Sequence, residues 1–186
     1  VSVSSLLRTQ FEWFYPLSEQ HQIQFKIDAP KELYWNTDSV YFKKILANLI
    51  SNAFKYTEDG GTVRISLHEE ENFLVLKVYN TGKGIEEADM QNIFDRYRIL
   101  GTMDNDDNRQ NTARNGLGLF ICHSLVQSLG GKIDIESEVG QYAEFTVTLP
   151  FGIVEESSDD TIDEDIPVSL PSPNTDIQKP QISHTC

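Results

Sequence analysis

Between residues 4 and 19 the apolar positions Leu6, Leu7, Phe11, Phe14 and Leu17 recur at helical spacing, and Pro16 falls in the last turn. IQFKIDA (23–29) alternates and predicts a strand, as does the short ELYW (32–35). Asp38 can cap a helix over 39–56 whose buried stripe is Val40, Ile45, Leu46, Leu49, Ile50 and Ala53. Gly60-Gly61 breaks the chain, and TVRISL (62–67) and FLVLKVYN (73–80) form a hairpin across the charged turn HEEEN. A short helical stretch then runs through Phe94 to Arg98. GLGLFICHSLVQSL (116–129) predicts a helix that opens on glycines and stops at Gly130-Gly131. KIDIES (132–137) and AEFTVTLP (143–150) make a second hairpin.

Two stretches lack this patterning. Residues 100–115 (LGTMDNDDNRQNTARN) carry almost no apolar group, the mark of a lid, a binding loop or a disordered segment. After Pro150 the chain is rich in acid and Ser and holds four of the seven prolines, which reads as a disordered linker or tail over 151–186. Residues 1–150 are then one α+β body, a mostly antiparallel sheet with its helices gathered on one face.

Composition narrows the function. The net charge of −14 argues against a nucleic-acid footprint, and eight of the 29 acidic residues lie after Pro150 against one of the 15 basic ones. No apolar run reaches the roughly 18 residues of a membrane span, and no signal peptide is expected. The chain opens on Val1 without an initiator Met, which reads as a piece of a longer protein. Cys122 and Cys186 cannot build a disulfide framework or a metal spacing, and His21, His68, His123 and His184 form no ligand pattern.

Three stretches carry candidate chemistry. In KKILANLISNAFKYT (43–57), Asn48 and Asn52 stack on one helix face and Lys55 continues that edge. Asn is a poor helix former, so two in one helix need a reason: oxygen ligands for a hydrated Mg²⁺ held against phosphates, or capping of nearby loops. In VYNTGKGI (78–85), Asn80 shares its strand face with Leu74, Leu76 and Val78, while Gly82 and Gly84 permit close backbone approach; a plain turn has the same signature. In NGLGLFIC (115–122), glycines at a helix start would expose free N–H groups to an anion, or simply pack closely against a neighbour.

The order of these stretches resembles the ATP-binding catalytic domain of bacterial sensor histidine kinases, part of the wider gyrase and chaperone ATPase family. NLISNAFKYT (48–57) resembles the N box, YNTGKGI (79–85) the first glycine box and NIFDRYR (92–98) the phenylalanine box. NGLGLFI (115–121) and GGKIDIESEVG (130–140) resemble the second and third glycine boxes. The resemblance implies a Bergerat-type sandwich of a mixed sheet and three helices, with ATP bound under a lid at 99–115. It implies Asn52 and Asn48 at Mg²⁺ and phosphates, Lys55 at phosphate, Tyr56 near adenine, and Asn80, Gly82, Gly84 and Ile85 around the base. The backbone of Gly116, Leu117, Gly118 and Leu119 would hold phosphates, Arg98 or Arg96 would face the γ-phosphate, and Phe94 would anchor the lid. Asn80 stands where the family usually has Asp, Arg114 where it has Gly, and Tyr142-Ala143 where it has Gly and Thr or Ser.

Asn48 bears on the reaction, because the gyrase and chaperone branch uses a Glu there as base for a water. An amide cannot take up a proton at neutral pH, so hydrolysis is disfavoured. The resemblance therefore implies transfer of the ATP γ-phosphoryl to a His on a dimerisation domain of the same full-length protein, outside this chain, and onward to a response-regulator receiver domain. His68-Glu69 is rejected as phosphoacceptor because no helix surrounds it. The expected setting is the cytoplasmic portion of a membrane-bound sensor, without direct membrane contact by this stretch. A non-catalytic docking module of the same fold and a related protein serine kinase are the competing expectations.

Overall fold

Asp38 begins the helix that organises the fold. Its Oδ1 accepts from Val40 N at 2.7 Å and Tyr41 N at 2.9 Å, satisfying two amides that lack an intrahelical partner. The computed structural model describes residues 1–94 and 109–152, with side chains from Leu117 in the second stretch. The helices are α1 (Val3–Gln20), α2 (Ser39–Tyr56), a short α3 (Glu87–Met90) and α4 (Arg109–Ser128). The strands are β1 (Gln24–Asp28), β2 (Thr62–Glu70), β3 (Phe73–Thr81), β4 (Lys132–Glu138) and β5 (Tyr142–Pro150).

The five strands form one sheet in the order β1-β2-β3-β5-β4. β1 runs parallel to β2 and the other three pairings are antiparallel, so the sheet is mixed and mostly antiparallel as expected. The parallel pair follows from the connection: α2 carries the chain back between β1 and β2, as a parallel pairing requires. Period-two alternation turns Val63, Ile65 and Leu67 of β2, Leu74, Leu76 and Val78 of β3, and Phe145, Val147 and Leu149 of β5 into the core. Leu7 of α1, Phe42, Ile45, Leu46, Leu49 and Ile50 of α2, and Cys122 and Val126 of α4 complete a single core cluster. Each large side chain so buried contributes roughly 1.5–3 kcal/mol relative to exposure.

The structure moves several expected features. Val40 is 54% exposed and Phe42 takes its place in the core. At 3.6 residues per turn the two positions lie roughly 200° apart on the helix, so only one can join the Ile45–Leu49 stripe. Leu17, expected in the apolar stripe of α1, is exposed, and Ser18 is buried there with its hydroxyl donating to Tyr15 O at 2.6 Å. The expected strand at 32–35 is an isolated Ser2–Tyr34 bridge. The five-residue turn shrinks to Glu71 (φ 49°) and Asn72 (φ 67°), a two-residue loop whose positive φ values suit the strand twist, and His68 lies inside β2 opposite Val75.

The described fold continues past Pro150. Phe151 packs edge-on against Trp35 with centroids 5.1 Å apart, and Gly152 N donates to Asn36 O at 3.0 Å. The remainder of the expected tail, 153–186, lies outside the described residues, as do Arg96, Arg98 and the lid over 99–108. Among the described residues no helix is long and apolar enough to cross a membrane.

Candidate functional site

The site gathers where the end of β3, the last turns of α2 and the middle of α4 converge. Alternation along β3 puts Asn80 on the core face, 4% exposed, and its Nδ2 donates to Thr81 O at 3.1 Å. The donor end of this amide is thus engaged by its own chain, which leaves Oδ1 as the acceptor the side chain can offer a ligand.

The following loop is fixed by its glycines. A β-carbon at Gly82 would stand 2.2 Å from Tyr56 O, and one at Gly84 (φ +65°) would stand 2.3 Å from Glu138 O. No larger residue fits either contact, so the loop is clamped between the end of α2 and the end of β4. Gly82 N donates to Gln141 O at 3.0 Å, and Gly140 N donates to Lys83 O at 2.7 Å. Ile85 N donates to Ser137 Oγ at 2.8 Å, and that hydroxyl donates onward to Tyr142 O at 2.6 Å. The loop between Asn80 and Ile85 is therefore rigid on both sides.

On α2, Asn48 and Asn52 are half-buried at the core rim. Asn48 Nδ2 donates to Lys44 O at 2.9 Å, and its Oδ1 lies 3.1 Å from where a Gly118 β-carbon would be. The absent side chain at Gly118 is what lets α4 approach α2 at the amide oxygen. Neutral amide oxygens suit a Mg²⁺ whose other ligands are phosphate oxygens and water. Among the described residues no three His, Cys, Asp or Glu side chains converge on a metal site.

Tyr56 is flanked by cations: Lys55 Nζ lies 5.3 Å and Lys83 Nζ 5.5 Å from its ring centroid. Burial lowers the Lys55 pKa from its usual value, and repulsion from Lys83 lowers it further. Burial pushes the Tyr56 phenol up, so it stays a neutral donor at physiological pH.

The expected second glycine box is placed differently. α4 starts at Arg109, seven residues ahead of the expected start, so Gly116, Leu117, Gly118 and Leu119 lie inside a helix and not at its N-terminus. Their amides fall within the i→i−4 ladder, and the groups left open by a helix start belong to the turn beginning at Arg109. Leu119 is buried and Leu117 exposed. Phe94 stacks on His123 with centroids 5.2 Å apart and meets Phe145 edge-on at 6.4 Å, packing against the core.

Asn48, Asn52, Lys55, Tyr56, Asn80, Gly82, Gly84, Ile85 and Gly118 thus share one connected region. Sequence reasoning passed over Lys83 and Ser137. Lys83 sits between two glycines of a candidate ligand loop, a position that singles it out; Ser137 carries no local signal, because its partners come from two other segments.

Comparison with known proteins bears on the family and the fold. Over 120 residues, 64% of this chain and 20% of the relative, the sequence is 36% identical to sensor protein SrrB of Staphylococcus aureus. The chain spans about a fifth of the length of the curated relatives it matches. The nucleotide-free catalytic domain of histidine kinase ThkA superposes with a TM-score of 0.67 at 23% identity, covering 82% of this chain and 96% of that one. Full-length ShkA in complex with AMPPNP superposes at 0.66 with 26% identity, covering 82% of this chain and 31% of that one. The asparagine edge, the clamped glycine loop and the α2–α4 contact all fall within residues 37–153, which match the family described as histidine kinase-, DNA gyrase B-, and HSP90-like ATPase. The chain belongs to that ATPase family.

Proposed function

We propose that this chain is the ATP-binding catalytic module of a sensor histidine kinase. The observation that carries the proposal is the contact of Asn48 Oδ1 with Gly118, which sets an amide oxygen, and not a proton-accepting carboxylate, at the junction of α2 and α4. An amide at this position cannot take a proton from water, which disfavours hydrolysis and leaves ATP for a nucleophile supplied by a partner domain. The γ-phosphoryl passes to an imidazole nitrogen of a His on the dimerisation domain, and ADP leaves. Asn48 and Asn52 would hold Mg²⁺, which when bound neutralises charge on the phosphates. Asn80, Gly82, Gly84 and Ile85 would hold adenine beside Tyr56, and Lys55 would meet phosphate; Arg98, expected at the γ-phosphoryl, lies outside the described residues.

Likeness to SrrB, a sensor protein, supports a place in two-component signalling as the cytoplasmic part of a membrane-bound sensor. A response-regulator receiver domain would then take the phosphoryl group from the His. ThkA, which shares the fold, is solved with the response regulator TrrA.

One observation favours a second reading, a docking module without nucleotide: α4 runs unbroken through Gly116–Leu119, which occupies the amides a phosphate would use. Calorimetry with AMPPNP and Mg²⁺ separates the two. Binding followed by acid-labile phosphate on an added His-bearing helical domain supports the kinase; absence of binding at high micromolar nucleotide supports docking. Acid-stable phosphoserine on the partner would instead indicate a serine kinase.

A further inference from the structure

We propose that Lys83 is a second positioning cation for the nucleotide polyphosphate, acting with Lys55 across the ring of Tyr56; this rests on the ATP-binding reading above. Lys83 comes from the glycine loop and Lys55 from α2, so the tertiary fold alone brings them together. The loop backbone at Lys83 is pinned, its carbonyl accepting from Gly140 N at 2.7 Å and Gly84 standing against Glu138 O. Lys83 therefore cannot move away from the ring by swinging its backbone.

Its Nζ lies 5.5 Å from the Tyr56 centroid, and Lys55 Nζ lies 5.3 Å from it. The ring quadrupole attracts each ammonium, yet the two ammoniums repel each other, and among the described residues no carboxylate pairs with Lys83. A phosphate that reaches Lys83 meets the positive charge of Lys55 beside the same ring. The shape of the anion follows from α2: Asn48, Asn52 and Lys55 share one edge, spanning about 10 Å at 1.5 Å per residue. A linear chain of phosphates can touch the amides at one end and the lysine pair at the other, whereas a single carboxylate cannot.

Calorimetry of the native chain, Lys83→Ala, Lys83→Glu and Lys83→Arg with ATP–Mg²⁺ and with adenosine tests this. Lys83→Ala should weaken ATP about three- to fivefold, the scale of an exposed ion pair, with Lys83→Glu weaker still and Lys83→Arg close to native. Adenosine affinity should not change, and the Lys83→Ala variant should lose part of the salt dependence of ATP binding. Unchanged ATP affinity in Lys83→Ala overturns the proposal, and so does an equal loss for adenosine, which would make Lys83 a brace for Tyr56. If the native chain binds no ATP, the kinase reading falls and this proposal with it; if the native chain binds ATP and only the lysine variants behave otherwise than expected, this proposal alone falls.

Discussion

Asn48 Oδ1 lies 3.1 Å from the position of a Gly118 β-carbon, so two helices from distant parts of the chain meet at one amide oxygen and one missing side chain. This contact joins the asparagine edge of α2 to the glycine stretch of α4. It separates stability from function in a way that can be measured.

Gly118→Ala should leave folding stability unchanged or raise it by up to about 1 kcal/mol, because Ala is the better residue in a helix interior. The added methyl must push the Asn48 amide by a few tenths of an ångström, so ATP–Mg²⁺ affinity should fall. Denaturant unfolding and calorimetry on the same variant report the two effects. Reduced stability with unchanged affinity would show the contact to be only packing.

Asn80 offers an acceptor while its Nδ2 is engaged by Thr81 O. Asn80→Ala should weaken ATP by about 1 kcal/mol through the lost hydrogen bond. Asn80→Asp should strengthen ATP by about the same amount through a charge-assisted bond, and should destabilise the nucleotide-free protein, since a carboxylate would be buried there. Unchanged ATP affinity in the Ala variant would reduce Asn80 to turn chemistry.

Ser137 accepts from Ile85 N and donates to Tyr142 O, tying the glycine loop to the second hairpin. Ser137→Ala should cost about 1–3 kcal/mol, because a part-buried amide and a carbonyl each lose their partner. Hydrogen exchange should rise at Ile85 before it rises in β2 or β5. Uniform exchange change across the sheet would argue against a local tie.

Cys122 is fully buried, and burial pushes its thiol from 9.0 up to about 12. The thiol is neutral in both states below pH 9, so it adds no pH dependence there. Between about 9 and 12 the unfolded chain ionises and the folded chain does not, so this group lowers stability as pH rises. In a Cys186→Ser background, a thiol reagent should label Cys122 only at the rate of unfolding. Fast labelling under native conditions would contradict the burial.

The long helices and both hairpins were legible because their signals are local. The Asp38 cap and the Ile45–Leu49 stripe of α2 lie within a few residues of what they specify. Val40 was misread for a reason of the same kind: it is apolar, but its helical phase opposes Phe42, and only packing against the sheet selects one phase. Tyr34 and Trp35 look like a strand, yet Trp35 is held by its indole donating to Pro150 O at 2.9 Å, a contact far along the chain.

The candidate site divides along the same line. The amides of Asn48, Asn52 and Asn80 and the glycines at 82 and 84 stand out as residue types that their elements do not favour, and periodicity alone puts Asn80 on a core face. Which groups face one another was not readable. The Lys55–Tyr56–Lys83 cluster, the Ser137 bridge and the Asn48–Gly118 contact each join segments that local pattern treats as independent. Periodicity, caps and turn residues act over a few residues and so dictate elements and their buried faces. Partners across elements depend on how the sheet and helices pack in three dimensions, and only the folded chain decides them.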